Sequence, residues 1–96
     1  MYKPVQNPLA KHYISLADLL QGESGTIVAL HEWRYGKGHD CHAGLANRLK
    51  ALGFVPGRTV KIERREKWGG PLQVCIGTTA IILRPSEASV IEVMPT

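Results

Sequence analysis

Residues 43–57 read AGLANRLKALGFVPG. Leu45, Leu49 and Leu52 recur at helical spacing and form one apolar face. Arg48 and Lys50 lie off the centre of that stripe, in the last turns, where a helix tolerates cations best. Gly53 stands where a left-handed residue closes a helix, and Phe54 can fold back against the leucines. Pro56-Gly57 then makes a turn into a strand. A helix this short is unstable alone, so its leucines must pack on a sheet or on another protein.

Outward from this stretch the chain reads as β. Towards the C-terminus, residues 58–68 alternate, with Val60 and Ile62 on one side and Lys61 and Glu63 on the other. Gly69-Gly70-Pro71 turns the chain. Leu72–Ile76 sends Leu72, Val74 and Ile76 inward, Gly77-Thr78 makes a tight turn, and Thr79–Leu83 follows as a strand. Residues 86–88 suit one helical turn with Ser86 as its cap. Residues 90–94 close the sheet, with Val90 or Ile91 facing inward and Pro95 stopping the strand. Towards the N-terminus, residues 26–33 form a strand and residues 35–42 a loop, with Asp40 placed to cap the helix. Ser15 caps a helical turn over residues 16–20, ended by Gly22. Residues 1–14 read as a loose tail ahead of one domain over residues 15–96.

The result is a mainly β fold. It is expected to be a small SH3-like β-barrel of about five strands, with one inserted α-helix and short helical turns. Strands this short bury their faces best by curling, which also removes exposed edges. An open sheet covered by the helix is the alternative. The chain of 96 residues, 44% hydrophobic and 21% charged, supports one domain with one core. Its net charge of +4 raises nucleic acid or an acidic partner as ligand, yet no long basic run occurs. No apolar run approaches the roughly 18 residues of a membrane span, and no secretory signal is evident, so a cytoplasmic protein with reduced thiols is expected. A Cys41–Cys75 disulfide is the alternative.

Three sequence stretches carry a resemblance. SLADLLQGESGTIVAL begins at Ser15, RLKALGFVPGRTVKI at Arg48, and VCIGTTAIILRPSEASVIEV follows the Gly-Gly-Pro turn. Together they resemble the FeoA family, small cytosolic partners of the bacterial ferrous iron permease FeoB. The resemblance covers residues 15–93. Arg48, Leu49, Leu52, Gly53, Phe54, Pro56 and Gly57 fall on the family's central motif. Gly77, Arg84, Glu87 and Ala88 fall on its C-terminal one. The resemblance implies an SH3-like barrel without catalytic residues, required cofactor or membrane insertion. It implies a regulatory or accessory role in ferrous iron uptake, through binding the cytosolic G-protein-like region of FeoB. Two features depart from the pattern: the loop over residues 33–43 is longer than usual, and the first fourteen residues are an addition.

Arg48, Leu52, Gly53 and Phe54 are the candidate partner-binding residues, because a barrel this small cannot cover every leucine of an appended helix. The competing reading makes the leucines plain core, with Leu49 buried and Leu52 partly available. His39, Cys41 and His42 in the sequence HDCH are the candidate metal ligands, for zinc or ferrous iron, with His31 able to approach from the preceding strand. Against that, adjacent residues rarely all reach one ion. Asp40 then serves only as a cap and Cys41 joins the apolar face of the helix. Cys75 points opposite to Val74 and Ile76 and reads as structural. No Gly-x-Ser-x-Gly, phosphate loop or HExxH occurs. From another class, the alternative is a small-barrel nucleic-acid-binding module using Lys61, Arg64, Arg65, Lys67 and Trp68, although Glu63 and Glu66 interrupt that run. No helix-turn-helix precedes the barrel to read DNA in the manner of the iron-dependent repressors.

Overall fold

The computed structural model describes residues 12–31 and 44–96. Among these residues six strands form one antiparallel sheet: β1 (Ile14–Ser15), β2 (Ser24–Leu30), β3 (Thr59–Arg65), β4 (Leu72–Ile76), β5 (Thr79–Leu83) and β6 (Ile91–Pro95). Their order across the sheet is β1-β6-β2-β3-β4-β5. The helices are α1 (Leu45–Ala51), between β2 and β3, and the single turn α2 (Pro85–Ala88), between β5 and β6. A 3-10 turn, Leu16–Asp18, follows β1, and the Ser15 hydroxyl accepts the Ala17 N–H at 3.0 Å.

The alternation that defines the strands also builds the core. Val60 and Ile62 of β3, and Leu72, Val74 and Ile76 of β4, are buried together with Ile27, Leu83, Ile91 and Val93. Leu45 and Leu49 of α1, Phe54, and Leu16 and Leu19 around the 3-10 turn join the same cluster. One cluster draws on both ends of the sheet order, so the sheet curls round a single interior.

The structure adds a sixth strand to the expected five. Ile14 pairs with Val93 and Ser15 with Glu92, so the sheet begins one residue inside the expected tail. The first long strand starts at Ser24, ahead of the expected Thr26, because Ser24 and Gly25 pair with Lys61 and Val60. β3 ends at Arg65, short of Trp68, after a register shift between Ile62 and Arg64 that spends one residue on a bulge. Pro95 does not stop β6. It lies at the end of that strand, opposite Gly25, and the ladder continues past it, with the Thr96 N–H donating to the Ser24 carbonyl at 3.1 Å, so the proline nitrogen falls on the side away from β2, where no N–H is needed. The cap of α2 is Arg84, not Ser86: the Glu87 carboxylate turns back to accept the Arg84 N–H at 2.8 Å, and Pro85 supplies the first helical φ.

Candidate docking groove

The close of α1 sets the geometry of the site. Leu52 caps the helix and Gly53 follows at φ 111°, a left-handed conformation that a Cβ would oppose. The Phe54 N–H then donates to the Leu49 carbonyl at 3.0 Å and the Gly53 N–H to the Lys50 carbonyl at 3.0 Å. This is a Schellman closure, and it brings the residue after the glycine back towards the third residue from the helix end. Phe54 is accordingly 0% exposed. It belongs to the core and corrects the expectation that it presents itself to a partner. Gly53 is half-buried and serves the turn.

The same closure leaves Leu52 at the surface, 52% exposed, while Leu45 and Leu49 are buried. Leu52 does not stand alone. Leu45, Arg48, Leu49, Ala51 and Leu52 of the helical segment line a groove of about 330 Å³ with Ile82 and Leu83 of β5 and Glu87 of α2. Its floor is core leucine. Leu52 rises on one side and Ile82, 62% exposed, on the other. Among the described residues no hydrogen-bond or ion-pair partner faces the Arg48 guanidinium, whereas Glu87 holds the Arg84 N–H. On the β5 and α2 side of this groove the sequence marks only Glu87, through the C-terminal motif, and not Ile82. One signal was available: in Thr79–Leu83 the adjacent Ile81 and Ile82 must point to opposite faces, so one of them faces away from the core.

The other candidates fall elsewhere. His39, Cys41 and His42, with Asp40, lie outside the described residues. Gly44, at φ 76°, is the N-cap of α1 and makes no side-chain cap bond. His31 Nε2–H donates to the Glu92 carboxylate across β2 and β6 at 2.9 Å. No group of three His, Cys, Asp or Glu side chains suited to a metal occurs among the described residues. Cys75 is half-buried, and its thiol donates to the Gly77 carbonyl at 3.3 Å.

The basic stretch forms a second hollow of about 320 Å³, lined by Gln21, Arg64, Arg65, Glu66, Lys67 and Trp68. Trp68 is 93% exposed. Arg65 is committed to the fold: its guanidinium donates to the Leu19 carbonyl at 2.9 Å, and its N–H donates to the Gln21 side chain at 3.0 Å.

Solved structures share this architecture. Stenotrophomonas maltophilia FeoA complexed with zinc is 32% identical, with a TM-score of 0.67 over 83% of this chain and 88% of that one. It is described as a procaryotic SH3 domain protein and put forward as a bacterial ferrous iron transport activating factor. Iron(II) transport protein A from Clostridium thermocellum is 30% identical, with a TM-score of 0.68 over 86% of this chain and 46% of that one. A manganese-dependent transcriptional repressor shares the fold at 15% identity, with a TM-score of 0.71, over 97% of this chain and 47% of its own. The fold and the groove thus define a small SH3-like β-domain with a helix set beside its edge strand.

Residues 14–95 match the FeoA domain, and the chain belongs to the FeoA family. No curated protein matches it by sequence.

Proposed function

We propose that the chain is a non-enzymatic accessory protein of ferrous iron uptake. It docks on the cytosolic G-protein-like region of the ferrous iron permease through the groove between α1 and β5. One observation supports this above the others: Leu52 and Ile82, both more than half exposed, flank a groove whose floor is core leucine. Two large aliphatic side chains held more than half exposed at one groove offer a partner an apolar anchor, the kind of contact that dominates protein interfaces. Arg48, lining the groove without a partner among the described residues, adds orientation and rate rather than affinity. Family membership supplies the iron-transport setting, and two relatives at 30% identity or more carry iron(II) or ferrous iron transport in their descriptions.

The test is calorimetry between the chain and the permease's soluble cytosolic domain, with and without guanine nucleotide. Leu52→Glu should abolish the binding heat and leave the melting transition in place. A Leu52→Glu protein that binds as the wild type does would remove the groove from the interface.

A further inference from the structure

We propose that β5 takes up an additional β-strand from the partner, an extended segment with apolar side chains at alternate positions and a carboxylate that meets Arg48. This rests on the docking reading and specifies its chemistry. Among the described residues the sheet has two outer strands. One is β1, only two residues long. The other is β5, Thr-Ala-Ile-Ile-Leu, which holds no charge and no proline. Proteins commonly blunt a sheet edge with charge, proline or shortness; β1 uses shortness, and β5 has neither of the other two.

The register shows which backbone groups are free. The two-residue turn Gly77-Thr78, with Gly77 at φ 62°, closes the β4–β5 hairpin, and Ile76 faces Thr79 across it. Such a turn makes its closing pair a hydrogen-bonded one, and bonded and non-bonded pairs then alternate. Val74–Ile81 and Leu72–Leu83 are therefore bonded pairs, while Cys75–Ala80 and Gln73–Ile82 are not. The N–H and C=O groups of Ala80 and Ile82 point away from β4. Among the described residues no other backbone group accepts or donates to them. The groove passes Ile82 and Leu83, with α1 as its far wall. An added strand would satisfy those amides and carbonyls, set alternate side chains against Leu52 and Ile82, and bring a carboxylate to the Arg48 guanidinium. Main-chain bonds would supply the affinity and the groove the selectivity, as in other strand-addition sites.

The experiment uses the full chain, isotope-labelled for NMR, and the probe peptide acetyl-Glu-Val-Thr-Val-Thr-Val-amide. Saturable shifts and slowed hydrogen exchange are expected at the Ala80 and Ile82 amides, with Ile81 and Leu83 little changed. Ala80→Pro removes an outward N–H and no bond to β4, so it should keep the fold and lose the peptide. Should that variant not fold, Ile82→Lys keeps every backbone group, places a charge on the edge, and should lose the peptide equally. Arg48→Glu should weaken binding about tenfold through the lost charge pair. No saturable shift up to about 1 mM peptide, the weak end of specific binding, overturns the proposal. So does a dimer of the chain itself that Ala80→Pro dissociates, since the occupant would then be a second copy. If the permease domain binds but leaves exchange at Ala80 and Ile82 unaltered, strand addition fails and docking stands. If the peptide seats on β5 while the permease domain does not bind, docking fails and the strand site stands.

Discussion

The groove beside α1 and the tip of the β3–β4 hairpin are both exposed, and they differ in what their side chains are already doing. At the hairpin tip the sequence is rich in charge, yet much of it serves the fold. Arg65 holds the Leu19 carbonyl, and Glu63 accepts from the Gln73 amide at 3.1 Å across the strands. Glu66 beside Arg65 and Lys67 dilutes the field, so the potential that would attract phosphate is weak. In the groove the reverse holds. Leu52 and Ile82 are exposed, Arg48 has no partner among the described residues, and β5 presents unpaired backbone. A binding surface is better recognised by groups left unsatisfied than by the number of charges nearby.

The largest test of this contrast is Phe54→Ala. Phe54 is adjacent to the groove in sequence but belongs to the core, and its truncation should cost about 3–5 kcal/mol of stability. Urea unfolding should show the midpoint collapse. A stable Phe54→Ala that had lost only partner binding would place the phenyl ring in the interface after all. Next in size is Leu52→Glu. It should change stability by no more than about 0.5 kcal/mol while weakening association with the permease domain by at least tenfold, roughly 1.4 kcal/mol. A large loss of stability would mark Leu52 as core and erase the difference between the two leucines.

Two smaller effects belong to the hairpin side. Arg65→Ala removes the bond to the Leu19 carbonyl and should destabilise by about 1 kcal/mol, read by denaturation, with unchanged permease affinity. Trp68→Ala should alter stability by less than about 0.5 kcal/mol and leave permease binding intact. Titration with single-stranded DNA at two salt concentrations is the matching check. A salt-dependent complex that disappears in Trp68→Ala would return the basic hairpin to the front, because phosphate binding must weaken with salt and base stacking must need the ring.

Much of the fold was legible along the chain. Leu72–Ile76 and Thr79–Leu83 keep the limits their alternation and turn residues gave them. Ser15 caps its turn, and Gly53 takes its left-handed place. Such features are local: alternation, a cap or a positive φ depends on residues within a few positions. β1 was not legible, because two residues carry no period and their pairing with β6 is made across nearly the whole chain. Half of the site was legible for the same reason. Arg48 can be placed off the apolar stripe of its helix, and Leu52 at the end of that stripe, from spacing alone. Ile82 and Glu87 reach them only after β3 and β4 have folded in between.

By itself, then, the sequence determined the elements and their inward faces, since periodicity says which side of a strand or helix must leave water. It also carried the family, through the leucine-bearing helix, the Leu-Gly-Phe closure and the Pro-Gly turn. Only the tertiary structure decided that Phe54 is sealed while Leu52 is not, that β5 rather than a paired strand forms the long edge, and that α1 stands beside it. Those are outcomes of long-range packing, in which what one residue can cover depends on where distant segments come to rest.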